Sequence, residues 1–255
     1  MMAIAKWLGT SLGWAFGGPI GALIGFMLGS AVDQGIDKNQ KKIPYNKKRA
    51  SQRSRTKRQQ DNTKPGDFEL SFLILSAVII KADKKVDKRE LDYVRKYFIK
   101  VYGSSRAEKA FKLFNGIMKK KIATTNICAQ IREHMDHASR LQLIHFLFGI
   151  AKADEEVHDN EVEEIRKIAG YLYISDRDFL SIKAMFYDTT KSAYQILEIT
   201  ENATDDEVKK AYRKMVKKHH PDKLQHLGAE HVKVAQEKFR QIQKAYEVIQ
   251  EKRGL

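Results

Sequence analysis

His220, Pro221 and Asp222 stand side by side, directly after a stretch in which Lys209, Lys210, Arg213, Lys214, Lys217 and Lys218 recur at helical spacing. An imidazole and a carboxylate two residues apart could move a proton, hold a cation or recognise a partner. Catalysis is the weakest of these readings. No nucleophile and base stand together in recognisable context, and no glycine-rich phosphate loop follows a strand-like run. The chain is therefore not expected to be an enzyme, and no cofactor is expected. Recognition fits better. Pro221 fixes the backbone at the end of the basic stretch and biases His220 away from helical geometry, so the three residues read as a loop tip. The basic residues form a face that can steer an acidic partner surface, an effect felt mainly in on-rate and weakened by salt. Tyr212, within the same stretch, is a further candidate contact.

Two other constellations invite chemistry. Asp83 and Glu90, with Asp154 and Glu161, could form an acidic cation site if the segments that carry them face each other. Their spacing is not that of an EF-hand, and the competing reading, that they cap helices, is preferred. Similarly, His134-Met135-Asp136-His137 in the neighbourhood of Cys128 raises a zinc reading. A helix end or turn with scattered histidines accounts for it better, so no metal is assigned.

The elements that position these residues are helical. The chain has 255 residues, a net charge of +15, 42% hydrophobic residues and a single cysteine, which excludes an internal disulfide framework and fits a reducing compartment. From Asp67 to about Tyr187, apolar residues fall at spacings of three and four without a proline. An internal repeat lies within this region: LSAVIIKADKKVDKRELDYVRK at 75–96 matches FGIAKADEEVHDNEVEEIRK at 148–167 at a constant offset of 71. Each copy reads as an apolar helix, a turn after the Asp, and a second helix; Asp87 and Glu90 have capping-box spacing. Two such hairpins packed on each other give a pseudo-symmetric all-α core over 65–187. After the short connector 188–192, Thr204 and Glu207 cap a helix that carries Val208, Ala211, Tyr212 and Met215 on one face. A later helix turns Phe239, Ile242, Tyr246 and Ile249 inward. The result is a helical hairpin over 192–255 whose loop is HHPDKLQHLGA, joined to the preceding bundle so closely that the two are not expected to move independently.

The segment SAYQILEITENATDDEVKKAYRKMVKKHHPDKLQHLGAEHVKVAQEKFRQIQKAYEVIQ resembles the J-domain of DnaJ-type co-chaperones, with YQIL in a first helix, DEVKKAYRKMVKKHHPD through the second helix and loop, and KFRQIQKAYEVI in the third. His220-Pro221-Asp222 coincides with the HPD signature of that family. The resemblance implies docking on a DnaK-type heat shock protein 70 chaperone and triggering of its ATPase. Two features depart from the family pattern: Glu198 follows Leu197 where glycine is usual, and the sequence ends at Leu255 without a fourth helix. No Gly/Phe-rich segment or CxxC set is present, so client binding of the full DnaJ type is not expected. The repeated KADxxV…E units resemble the TerB-like helical domain. Together the segments are similar to the DjlA-like, membrane-anchored DnaJ proteins of bacteria.

The amino-terminal part fits that resemblance. Residues 7–32 carry no charged side chain, and Gly9, Gly13, Gly17, Gly21, Gly25 and Gly29 recur at every fourth position. As a helix this stretch would exceed the ~30 Å hydrocarbon core of a bilayer, so 1–32 reads as a glycine-rich transmembrane anchor. Part of the glycine stripe could pair helices and favour a homodimer. Gly17-Gly18-Pro19 would allow a kink or a re-entrant hairpin instead. Residues 33–64 read as a basic, disordered tether: between Lys38 and Lys64 eleven Lys/Arg face one acid, Asp61. Beside an apolar segment, this charge places the following domains in the cytoplasm and favours contact with anionic lipid. Nucleic acid is disfavoured because the tether has one aromatic, Tyr45, on which a base could stack. The expectation is thus a single-pass protein of the bacterial inner membrane with cytoplasmic carboxy-terminal domains. The alternative is a membrane-associated stress-response or metal-binding TerB-like scaffold with a vestigial J-domain.

Overall fold

The computed structural model describes residues 65–254, apart from 83–85, 155–156 and 188–189. The anchor, the basic tether, the glycine stripe and the candidate ligand Asp83 lie outside the described residues. Within them the chain is all-α: ten α-helices and one 3-10 helix, with no strand.

Two helices form the centre. Helix α1 (Pro65–Ile80, PGDFELSFLILSAVII) and helix α5 (His137–Ala151, HASRLQLIHFLFGIA) are apolar around most of their circumference, the pattern of a helix enclosed on all sides. Phe72 and Phe146 meet across them, 4.2 Å between ring centroids. The amphipathic helices α2 (Lys88–Tyr102), α3 (Ser104–Met118), α4 (Thr124–His134), α6 (Asp159–Tyr171) and α7 (Asp176–Ala184) surround this pair, each burying one face. The repeat of the sequence is therefore a repeat of hairpins, α1–α2 and α5–α6, each a core helix followed by a covering helix. Gly149 allows the two hairpins to approach: a Cβ there would stand 2.1 Å from the Tyr93 hydroxyl on α2.

The carboxy-terminal unit comprises α8 (Thr190–Ile196), α9 (Asp205–Lys218), the 3-10 helix Pro221–Leu227 and α10 (Ala229–Arg253). The Thr204 capping box forms as expected: Glu207 Oε2 accepts from the Thr204 N–H at 2.8 Å, and Thr204 Oγ1 accepts from the Glu207 N–H at 3.3 Å. Val208, Ala211, Met215, Ile242, Ala245 and Ile249 make the core between α9 and α10. Arg253 closes it, donating from Nη1 to the Ala203 carbonyl at 2.6 Å and from Nη2 to the Glu201 carbonyl at 2.9 Å.

The loop does not stand clear of the bundle. Leu224 and Leu227 of the 3-10 helix, and Ala235 of α10, are buried in the same apolar cluster as α1 and α5. His231 lies edge-on to Phe68 at 5.0 Å. Helix α10 thus has two buried faces, one toward α9 and one toward the bundle.

Candidate functional site: the loop at His220

His220 has an extended backbone (φ −60°, ψ 130°), the geometry required of a residue before proline. Pro221 occupies the first position of the 3-10 helix, where a missing N–H costs nothing. The ring Nδ1 of His220 accepts from the Asp222 N–H at 3.3 Å and so caps this short helix. His220 and Asp222 are 3.5 Å apart, with side chains 46% and 66% exposed. The His220 ring is edge-on to Phe239 of α10, at 5.9 Å. A shallow groove of about 420 Å³ runs between the loop and α10, lined by His220, Pro221, Asp222, Val232, Phe239 and Arg240. A hydrogen-bonding ring and a solvated carboxylate are therefore presented outward on an ordered support.

The basic face of α9 divides into two sets. Lys209, Lys210, Arg213 and Lys217 are exposed, as is Lys214, which differs from them in having a carboxylate partner. Lys214 and Lys218 converge on Glu198, donating at 2.8 and 2.5 Å. Glu198 adopts a left-handed backbone (φ 59°), which explains why a glycine suits this position. Burial works against its carboxylate, but the two lysines outweigh that cost and hold its pKa below the usual range. Tyr212 is half-buried in the hairpin seam, stacked on Tyr246 with 4.2 Å between centroids.

Lys218 is also held from the bundle, where its amine lies against Asp178 Oδ1 on α7. Asp178 is buried and accepts from Ser175 Oγ at 2.8 Å. Burial disfavours its charge, yet His137, Lys218 and Ser175 together hold the carboxyl well below the ordinary value. On the far side of the loop, His226 Nε2 stands 3.0 Å from Asp136 Oδ2. Asp136 also caps α5, accepting from the Ser139 N–H at 2.9 Å. Between these clamps Lys238 of α10 is enclosed, and burial pushes its amine down to about 7. Desolvation likewise lowers the neighbouring His219 and His145. Sequence reasoning missed Asp178 and Lys238, which belong to no local motif and acquire their roles across the junction; it met Asp136 only within the histidine cluster at 134–137, without its contact to His226.

The acidic quartet is brought partly together. Glu90 caps α2, accepting from the Asp87 N–H at 3.2 Å, and Glu161 caps α6, accepting from the His158 N–H at 3.1 Å. The Glu161 side chain also hydrogen-bonds Glu90, and its pKa is raised, chiefly by burial. Asp154 is 3.8 Å from Arg89 and 3.6 Å from His158. Among the described residues, no group of three or more His, Cys, Asp or Glu side chains is arranged to hold a metal. His137 is instead 3.7 Å from Asp178, and Cys128 is buried, its thiol pushed up to about 12, first by burial.

Three helices with His-Pro-Asp at the turn between the second and the third define a J-domain protein. Residues 192–254 match the DnaJ domain family, residues 69–184 the tellurite resistance protein TerB family, and residues 1–50 the co-chaperone DjlA transmembrane domain. With these three domains in this order, the chain belongs to the DjlA-like J-domain proteins. It is similar to the co-chaperone protein DjlA of Photobacterium profundum, 31% identical over 156 residues, which cover 49% of this chain and 56% of that one. DjlA of Vibrio cholerae is 49% identical over 65 residues, 25% of this chain and 23% of that protein. The chaperone protein DnaJ of Thermosipho melanesiensis is 46% identical over 67 residues, 26% of this chain and 17% of that one. The matched part thus spans little more than half of the Photobacterium relative and about a quarter or less of the other two. No solved structure matches the chain. Among the described residues, no helix is long and apolar enough to cross a membrane.

Proposed function

We propose that the chain is a membrane-anchored co-chaperone that docks on a DnaK-type heat shock protein 70 chaperone and stimulates its ATPase through His220-Pro221-Asp222. It is a regulator of a partner enzyme and performs no chemistry itself. The observation that carries this reading is the outward presentation of His220 and Asp222 on a buried 3-10 scaffold, beside the exposed cations of α9. Lys209, Lys210, Arg213 and Lys217 supply long-range attraction to an acidic surface, while Lys214 and Lys218 are largely neutralised by carboxylates. Residues 1–32 anchor the protein in a bacterial inner membrane, with the basic segment 33–64 and the later domains on the cytoplasmic side. The glycine stripe offers a seam for homodimerisation.

The test is ATP hydrolysis by DnaK in the presence of the full chain in detergent. His220→Gln removes the imidazole while leaving Pro221, Leu224 and Leu227 in place. Stimulation should disappear while the protein stays folded, its melting temperature lowered by no more than the few degrees that loss of the His220 cap accounts for. An undiminished response in the variant would sink the proposal.

A further inference from the structure

The geometry points to Asp178 as a positioning residue for the HPD loop: a carboxylate of the TerB bundle that, through Lys218, sets where His220-Pro221-Asp222 stands. Its activity readout rests on the co-chaperone reading above; its structural readout does not.

Asp178 is prepared for this role before the loop arrives. It lies in the first turn of α7, where the Ser175 hydroxyl donates to Oδ2 at 2.8 Å and accepts from the Asp178 N–H at 3.2 Å. A carboxylate in the first turn also suits the positive end of the helix. It is 5% exposed, so its charge requires a partner, and loss of that partner would be costly. The Lys218 amine supplies it. Lys218 is the final residue of α9, two positions before His220, and its other contact is Glu198 of its own domain at 2.5 Å. One ammonium thus ties the end of α9 to both domains. At 20% side-chain exposure and committed to two carboxylates, it holds the loop and contributes little to an outward docking face.

The loop is fixed again on its far side by Leu224 and Leu227 in the bundle core and by His226 against Asp136. Between these attachments the backbone has few alternatives, so the His220 ring and the Asp222 carboxylate are held relative to the TerB bundle. If Asp178 loses its charge, Lys218 keeps only Glu198, and the last turn of α9 is freed on its loop side.

The experiment uses the full chain in detergent, with two readouts. In Asp178→Asn, maximal stimulation of DnaK ATPase should fall by about threefold or more, since displacement of a positioned group by ~1 Å carries penalties of this order or larger. The half-saturating concentration should stay within about twofold, because the exposed cations that govern encounter are untouched. Asp178→Glu should recover most of the response. Independently of DnaK, amides in 219–228 should exchange with solvent about fivefold faster or more in Asp178→Asn than in the parent, reflecting easier local opening. Unchanged exchange in a folded variant overturns the inference, as does unchanged stimulation where His220→Gln abolishes it. If His220→Gln leaves stimulation intact, the co-chaperone reading falls and the exchange arm alone decides the role of Asp178. Should Asp178→Asn fail to fold, Lys218→Gln cuts the same link from its more exposed end. It must reproduce the faster exchange, or the inference is wrong.

Discussion

Replacing Lys238 by methionine should make this protein more stable, and by an amount that depends on pH. Lys238 is 2% exposed, on the face of α10 that packs against the bundle. Burial lowers its amine from an ordinary 10.5 to about 7, opposed only in part by Asp178. The groups that share its electrostatic surroundings are His145 on α5, His219 at the end of α9 and Asp178 on α7. A lysine whose folded pKa lies below its unfolded value binds its proton less tightly in the native state. The native state is therefore penalised most below pH 7, and the penalty fades as pH rises from about 7 toward 10.5. At ~1.4 kcal/mol per unit of pKa, the full penalty is about 5 kcal/mol in acid and about 4 kcal/mol near neutrality. Structural relaxation and water access reduce such figures, so a gain of roughly 2–4 kcal/mol at pH 7 is expected for the variant, with methionine preserving the unbranched stem. For a unit of this size, that raises the melting temperature by about 5–10 °C. Thermal or urea unfolding of parent and variant between pH 6 and pH 10 is the assay. The gap should be widest at the acidic end and close toward pH 10. A variant no more stable than the parent at pH 7, or a gap that does not change with pH, would refute the argument.

Two further substitutions probe packing and charge elsewhere. Gly149→Ala should cost about 1–3 kcal/mol in urea unfolding, because the new methyl meets the Tyr93 hydroxyl and ring; Tyr93→Phe in the same background should restore part of the loss. Glu198→Gly relieves a left-handed backbone worth about 1–2 kcal/mol but releases Lys214 and leaves Lys218 with Asp178 alone. Net stability should change by less than about 1 kcal/mol, while the DnaK concentration giving half-maximal stimulation falls several-fold at low salt and converges with the parent at high salt.

Much of this architecture could be read directly from residue order. The α9–loop–α10 hairpin announces itself because its motif is local: Thr204 and Glu207 three apart, Val208, Ala211 and Met215 on one face, Pro221 after it. The repeated KADxxV…E units likewise specify two hairpins with a glutamate three residues into each covering helix, and both glutamates do cap. What resisted sequence reading is non-local. Lys218 looks like one more solvated cation of α9, and nothing in the 39 residues between it and Asp178 signals that the two will meet. Lys238 sits among Glu237, Phe239 and Arg240 in a stretch that reads as a surface, because a helix buried along two stripes blurs the ordinary single-stripe pattern. The loop itself was legible as an exposed tip but not as a packed strap, since Leu224 and Leu227 find their core in another domain. The odd residue at 198 was visible as a departure from the family pattern; only its backbone angle shows why glycine is usual there.

Because Leu224 and Leu227 belong to the same apolar cluster as α1 and α5, the loop and the bundle share one set of packing contacts. Binding energies linked through one structure are reciprocal: if seating a partner on His220 stiffens the 3-10 helix, a ligand that stiffens the bundle must favour that partner by the same factor. The bundle can then be regarded as the tuning end of a two-ended lever, with the seven residues Pro221–Leu227 as its fulcrum.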